Sequence, residues 1–74
     1  MDNQASRKGD SILRLPEVER RTGLRRPTIY RRAKAGTFPQ PVRIGPNSTG
    51  WFESEIDSFL ARIAAARDAQ AGAL

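Results

Sequence analysis

Apolar positions along the chain follow two different periods, and each period predicts a different element. Near the carboxyl end, Ile56, Phe59, Leu60 and Ile63 have the i, i+3, i+4, i+7 spacing of one helix face. Upstream, the segment Val42–Arg43–Ile44 alternates apolar, basic and apolar residues, which is the period of a half-buried strand. The pattern therefore predicts a short strand followed by an amphipathic helix.

Two short helices are predicted upstream of the strand, over residues 16–22 and 26–35. Each has a proline near its start, where a missing N–H breaks no intrahelical hydrogen bond. Each is followed by a glycine, Gly23 or Gly36, which suits a left-handed C-cap. Two short helices joined by a tight turn containing glycine have the outline of a helix-turn-helix, whose second helix enters the DNA major groove.

The second of these helices is predicted to have a narrow buried face and a wide basic face. At about 100° per residue, Ile29 and Ala33 lie on the same side and are expected to pack inward. The outward face, with Thr28 at its edge, also includes Pro27, Tyr30, Arg31 and Lys34. An ordinary solvated helix face is the alternative interpretation of these charges.

A β-hairpin is predicted after the second helix. The prolines of Phe38–Pro41 favour extended backbone and end helical structure. Val42–Ile44 and Trp51–Phe52 are predicted as partner strands, joined by the turn-forming residues Gly45–Gly50. Neighbours in a strand point to opposite faces, so only one of the two aromatic residues is expected in the core. An ordinary polar loop is the alternative to a hairpin wing.

The last helix is predicted from Ser54 to Ala66, with Ser54 and Asp57 as a variant of the capping box. The domain is predicted to span residues 12–66, with a disordered amino-terminal arm over 1–11 and a frayed tail over 67–74. The predicted fold is mainly α with a small β-hairpin, a winged helix-turn-helix of order α-α-β-β-α. Its candidate core consists of Leu15, Val18, Leu24, Ile29, Ala33, Phe38, Val42, Ile44, Trp51, Ile56, Phe59, Leu60 and Ile63.

The charge of the chain changes this picture from a small helical domain to a candidate nucleic-acid binder. The 74 residues include 13 basic and 8 acidic side chains, for a net charge of +5. Eleven of the basic residues are arginine, and seven of the 13 lie between Arg20 and Lys34. Arginine binds phosphate and guanine edges in a bidentate manner, and a clustered basic patch is typical of nucleic-acid binders.

Several other function classes are disfavoured by what the sequence lacks. Without cysteine or histidine, the chain has no thiolate nucleophile, imidazole base or Cys/His zinc site. No glycine-rich phosphate loop, secretory signal or membrane-spanning apolar run is present in it. The acidic residues Glu53, Glu55 and Asp57 are interpreted as a helix start. We therefore expect a cytoplasmic, nucleoid-associated protein that is not an enzyme and needs no cofactor.

Four motifs in order resemble the AlpA family of prophage regulatory proteins, over about residues 12–62. They are Leu15–Val18, Thr22–Leu24 with Thr28–Arg31, Gly36–Gly45, and Gly50–Ile56. The resemblance implies a winged helix-turn-helix similar to those of MerR-type regulators and phage excisionases. It also implies a small activator or repressor, often of integrase or other mobile-element genes.

Two residues depart from the family pattern at the start of the second helix. The family commonly has serine, a natural N-cap, where this chain has Arg25, so we expect a less firmly capped helix but an added positive charge. Pro27 stands where the family often has a small polar residue. Neither change is expected to alter the fold.

The predicted function is sequence-specific recognition of double-stranded DNA. Arg31 is the best candidate for recognising a guanine edge, while Arg25 and Arg26 are expected to hold phosphates near a helix amino terminus. Helix 26–35 would occupy the major groove, and wing 42–52 would contact the backbone or minor groove. The predicted DNA-binding residues are Arg25, Arg26, Thr28, Tyr30, Arg31, Lys34, Arg43, Asn47, Ser48 and Thr49.

Other functions share part of this chemistry. An excisionase-like architectural factor acting with an integrase is the main alternative. A subunit of a phage packaging machine and a module that binds an acidic protein partner are two others. Besides DNA, RNA polymerase and an integrase are candidate partners, and no membrane is expected. We expect a monomer in solution or a cooperative multimer on DNA.

Overall fold

The computed structural model describes residues 9–72, and within this range it shows three helices and a three-stranded antiparallel sheet. In chain order the elements are β1 (Ile12–Leu13), α1 (Leu15–Thr22), α2 (Arg26–Ala35), β2 (Val42–Gly45), β3 (Ser48–Phe52) and α3 (Glu53–Gly72). The predicted arrangement of a helix-turn-helix, a hairpin and a last helix is confirmed. Residues 1–8 of the predicted arm and 73–74 of the predicted tail lie outside the described residues.

Both short helices end at the glycines that the sequence indicated. Gly23 has φ 76° and donates its N–H to the Glu19 carbonyl at 2.8 Å. Gly36 has φ 84° and donates to the Ala33 carbonyl at 3.1 Å. Residues with a side chain rarely adopt these left-handed conformations, so glycine ends each helix at a fixed residue. The chain can then turn sharply after α1.

The sheet is larger than the predicted hairpin. Its strand order is β1-β3-β2, and Leu13 of the additional strand β1 pairs with Trp51. Gly45 pairs with Ser48, so the turn between β2 and β3 contains two residues. The predicted turn over residues 45–50 was therefore too long. A strand of two residues has no period to detect, which is why β1 was missed.

The core lies between the sheet and the three helices. Val18, Ile29, Trp51 and Ile56 are fully buried. Trp51, the aromatic residue of its pair that enters the core, donates its indole N–H to the Pro39 carbonyl at 3.0 Å. The other buried residues are Leu13, Ala33, Phe38 and Phe59, with Leu15, Leu24 and Leu60 packed against them.

Two residues predicted in the core are exposed, and a third, Val42, is only half-buried. Ile44 and Ile63 are each 50% exposed. Ile44 lies near the end of β2 on the face that carries Ile12, and Ile63 lies on α3 beyond the last buried residue, Phe59. Leu13, which was not predicted, is instead buried beside Trp51. Apolar periodicity predicted the correct face of each element. It did not predict how far along that face other elements pack against it.

The last helix differs from prediction at both ends. It begins at Glu53, and the Ser54 N–H and hydroxyl both donate to the Asp10 carboxylate, at 3.1 and 2.6 Å. The predicted capping box was wrong, because a distant aspartate accepts these hydrogen bonds. The helix also continues to Gly72 instead of ending at Ala66, since the added residues include alanines, which have the highest helix propensity. The division of the chain into arm, domain and tail stays a prediction.

Candidate nucleic-acid interface

The start of α2 is held by a side chain from α1. The Glu19 carboxylate accepts a hydrogen bond from the Arg26 backbone N–H at 2.9 Å. Arg25, in the N-cap position, has extended backbone and makes no capping hydrogen bond through its side chain. The expectation of a weakly capped second helix is therefore corrected, because Glu19 supplies an acceptor that Arg25 cannot provide.

The turn between the helices has its own hydrogen bonds. Thr22 donates its hydroxyl to the Val18 carbonyl at 2.8 Å and accepts from the Leu24 N–H at 3.2 Å. Because Leu24 also packs against the core, the turn is held by polar and apolar contacts together. This arrangement orients α2 relative to α1, as a helix-turn-helix requires.

The outward face of α2 matches the predicted one. Ile29 and Ala33 are buried, whereas Arg31 and Lys34 are exposed and Thr28 is half-buried. Within residues 9–72, no ion pair involves the basic side chains of this helix or its N-cap. These side chains belong to Arg25, Arg26, Arg31, Arg32 and Lys34. None of these five side chains is therefore paired with a described carboxylate, although Glu19 lies beside the start of the helix.

Arg32 is an addition to the predicted set. The predicted outward face does not include it, and its side chain is exposed. It lies on the flank of α2 opposite Tyr30, so it broadens the basic surface around the helix. Exposure of a helix flank depends on neighbouring elements, and the sequence of the helix alone does not show it.

Tyr30 joins α2 to the sheet. Its ring is tilted 57° against that of Trp51, with the centroids 5.8 Å apart. The Arg26 guanidinium carbon lies 5.9 Å from the centroid of the same tyrosine ring. Tyr30 is nevertheless 37% exposed, so its ring packs inward while part of the side chain remains accessible. Tyr30, predicted on the outward face, is therefore shared between that face and the packing against the sheet.

The basic stretch is the group of seven basic residues between Arg20 and Lys34. Two of its arginines are paired with carboxylates and lie on α1, outside the exposed face of α2. Arg20 forms an ion pair with Glu17 on α1. Arg21 contacts Glu17 at 3.2 Å, Glu53 at 2.9 Å and Asp57 at 3.6 Å, which links α1 to the start of α3. Hydrogen bonds from Arg20 and then Arg21 hold the pKa of Glu17 below its ordinary value. The structure therefore divides the basic stretch into a paired group and a free group.

The predicted wing residues are brought together on the hairpin. Arg43 pairs with Thr49 across β2 and β3, so their side chains share one face of the sheet. Asn47 is exposed in the two-residue turn, whereas Ser48 and Thr49 are half-buried at the start of β3. Arg43 is exposed and forms no ion pair within the described chain.

One basic residue beside the wing was not predicted. Arg14, which immediately precedes α1, donates its Nε–H to the Thr49 carbonyl at 3.1 Å. The two residues are 35 positions apart, so no local pattern indicated their contact. The predicted site therefore has two parts, a helix face and a hairpin, and Arg14 is an additional basic residue at the hairpin.

No group of three or more histidine, cysteine or acidic side chains is arranged to hold a metal ion within residues 9–72. Among the described helices, none has the length and apolar character needed to cross a membrane.

Comparison with known proteins supports the regulatory interpretation. Residues 11–63 match the family model described as the prophage CP4-57 regulatory protein AlpA. The chain is 42% identical over 57 residues to the DNA-binding transcriptional activator AlpA of Escherichia coli K12, covering 69% of this chain and 81% of that protein. It is 41% identical over 56 residues to the uncharacterised protein ORF88 of Enterobacteria phage P4, covering 74% of this chain and 64% of the phage protein. No solved structure matches the chain.

Proposed function

The chain belongs to the AlpA family of prophage regulatory proteins, and we propose that it is a sequence-specific regulator of transcription that binds double-stranded DNA. The observation that carries the proposal is the division of its arginines. Arg20 and Arg21 are neutralised by carboxylates, whereas the basic residues of α2 are free and exposed. A free basic face on the second helix of a helix-turn-helix favours duplex DNA as the partner.

In this proposal α2 enters the major groove. Arg31 projects from the exposed side opposite Ile29, which is fully buried. Its guanidinium is the best candidate for bidentate hydrogen bonds to a guanine edge, and Thr28 and Lys34 lie on either side of it along the helix. Arg25 and Arg26 are candidates for phosphate contacts near the amino end of α2. Their guanidinium groups would make these contacts, because the Arg26 backbone N–H already donates to Glu19 and is not available to a phosphate.

The hairpin provides the second half of the proposed interface. Arg43 and the turn residue Asn47 are exposed and are positioned to contact the backbone or minor groove, with Ser48 and Thr49 beside them. The packing of Tyr30 on Trp51 connects this wing to α2. A rigid link of this kind would fix the spacing between the major-groove helix and the wing. Within a bacterial cell, such a regulator would act on the nucleoid together with RNA polymerase.

The proposal is tested by selecting bound duplexes from random DNA and then comparing Arg31→Ala with the wild-type chain on the selected site. Loss of a bidentate base contact should cost ~1–3 kcal/mol and relax preference at one base pair. Arg67→Ala is the control, because Arg67 is paired with Asp68 on α3 and its removal causes the same change in net charge. We expect this control to keep both affinity and preference.

Other outcomes would contradict parts of the proposal. Equal weakening of Arg31→Ala on every duplex would assign Arg31 to phosphate binding. Absence of wild-type binding to any duplex at low salt would refute DNA binding altogether. The genomic positions of the selected sites distinguish a transcriptional regulator from the excisionase-like factor that the sequence left as an alternative. Promoter-proximal sites that change transcription support a regulator, whereas clustered attachment sites bent by the protein would instead support an architectural factor acting with an integrase.

A further inference from the structure

Arg14 lies beside the wing and is not one of the residues proposed above to contact DNA. Its Nε–H donates to the Thr49 carbonyl at 3.1 Å, and its side chain is exposed. The preceding residue, Leu13, pairs with Trp51 in β3, so the backbone of Arg14 leaves the sheet beside the wing. The guanidinium is thereby held against β3, although the residue itself belongs to the connection between β1 and α1.

The chemistry of this contact leaves most of the guanidinium available. An arginine side chain has five N–H donors, and the Thr49 carbonyl uses only the one on Nε. Across residues 9–72 no carboxylate forms an ion pair with Arg14. The two terminal nitrogens therefore retain their donors and a full positive charge. A planar fork of this kind matches the geometry of a phosphate group.

The surroundings of Arg14 connect it to the rest of the basic surface. Arg43 pairs with Thr49 from β2, so Thr49 lies between two exposed arginines that approach it from opposite sides of β3. Two residues further along β3, Trp51 contacts Tyr30, whose ring lies close to Arg26. Arg14 and Arg43 therefore flank the strand that also supports α2.

We propose that Arg14 is a DNA phosphate-binding residue, held in place by the Thr49 carbonyl, and that it forms a two-arginine clamp on the wing with Arg43. The proposal rests on the DNA-binding function proposed above and adds a specific backbone contact to it. Because phosphate contacts are independent of base identity, this clamp would contribute affinity and register without sequence preference. The hydrogen bond to Thr49 orders the side chain before DNA arrives, which lowers the entropic cost of binding.

A single substitution separates the phosphate contact from the structural hydrogen bond. In Arg14→Gln, the glutamine Nε2 lies at the same number of bonds from the backbone as the arginine Nε. It can therefore still donate to the Thr49 carbonyl, while the charged terminal nitrogens are removed. Arg67→Gln removes the same charge from the exposed end of α3, 74% exposed and paired with Asp68, and is the matched control.

The measurement is the salt dependence of binding to a selected duplex, followed by fluorescence anisotropy. Each phosphate contact contributes ~0.9 to the slope of log K against log salt. We expect Arg14→Gln to reduce the slope by ~0.9, so that raising salt fourfold weakens it ~3.5-fold less than the wild type. Arg67→Gln should keep the wild-type slope. Arg14→Gln should also weaken selected and unrelated duplexes by the same factor.

The outcomes distinguish this clamp from the function on which it rests. If Arg14→Gln and Arg67→Gln have equal, wild-type slopes while Arg31→Ala loses base preference, the clamp is refuted and DNA recognition stands. If the wild-type chain binds no duplex, both proposals are refuted. Should Arg14→Gln fail to fold, Arg14→Lys retains the charge and should keep the slope. A slope lowered by ~0.9 in the lysine variant, with its fold intact by circular dichroism, would contradict charge-based phosphate binding.

Discussion

The contact between Glu19 and α2 makes a stability prediction that is independent of DNA. The first turn of a helix leaves several backbone N–H groups without intrahelical partners. In α2, Pro27 removes one of these donors, and the Glu19 carboxylate accepts the one on Arg26 at 2.9 Å. Glu19→Ala would leave that N–H to solvent and remove a negative charge from the positive end of the helix dipole.

The expected cost follows from these two losses. Removing an N-terminal cap costs typically about 1 kcal/mol, and a charge near the helix end contributes a further ~0.3–1 kcal/mol. We therefore expect Glu19→Ala to destabilise the domain by ~1–2 kcal/mol, which lowers Tm by ~4–16 °C in a domain of this size. Glu19→Gln keeps a carbonyl acceptor and should lose less than half of this amount.

Thermal unfolding followed by circular dichroism is the appropriate measurement. DNA affinity is a poor substitute, since removing a carboxylate beside Arg25 and Arg26 also strengthens their attraction to phosphate. Asp68→Ala is the control, because it removes the same charge from an exposed position on α3, where Asp68 is 67% exposed and pairs with Arg67. Its Tm should stay close to that of the wild type.

A second substitution tests whether the loss arises at the start of α2. Arg25→Ser places a natural capping residue at the N-cap, where its hydroxyl can accept from the Thr28 N–H. Added to Glu19→Ala, it should restore most of the lost Tm. An unchanged Tm in Glu19→Ala would refute a stabilising contact with Arg26. A large loss that Arg25→Ser does not reduce would place the effect of Glu19 elsewhere in the domain.

Two further predictions concern Tyr30 and Glu17. Tyr30→Phe should keep the wild-type Tm, because the ring contact with Trp51 is retained, whereas Tyr30→Ala should lower Tm measurably in the same assay. A loss of duplex affinity in Tyr30→Phe would show a hydroxyl contact with DNA. Hydrogen bonds from Arg20 and Arg21 lower the pKa of Glu17 from its ordinary 4.5, so its stabilising effect is present above that pH and is lost as pH falls below it. The Tm difference between wild type and Glu17→Gln should therefore be present at pH 7 and disappear in acid, and a difference that persists there would contradict the assignment.

Local patterns in the sequence were sufficient to predict the helix-turn-helix. Gly23 and Gly36 end their helices with the left-handed backbone that the sequence indicated. Ile29 and Ala33 are buried while Arg31 faces outward, because a regular helix maps spacing directly onto faces. The basic side of α2 could be identified for the same reason. These features depend only on residues within a few positions of one another.

Most of the contacts that were missed join residues far apart in the chain. Asp10 hydrogen-bonds Ser54 at a separation of 44 positions, and Arg14 bonds Thr49 at a separation of 35. Even the shorter link from Glu19 to Arg26 crosses a turn between two helices. Helical or strand periodicity contains no information on such pairs. It also failed for Ile44, since alternation indicates a face of the strand but not whether another element covers it.

The division of charge explains how a strongly basic chain can fold without neutralising its binding surface. Seven basic residues within a short stretch repel one another in the folded state, and the cost falls where carboxylates lie close. Arg21 lies between carboxylates of α1 and α3, so its charge joins two helices on the side of the molecule where α3 begins. Of the described basic residues without an ion pair, all except Arg62 of α3 lie on α2, at its N-cap or beside the wing. Exposed ion pairs contribute little stability. The main effect of the pairs formed by Arg20 and Arg21 is therefore to confine the unpaired positive charge to other parts of the surface. A duplex that approaches this chain would therefore be attracted to α2, Arg14 and Arg43, and the paired group would contribute little to that attraction.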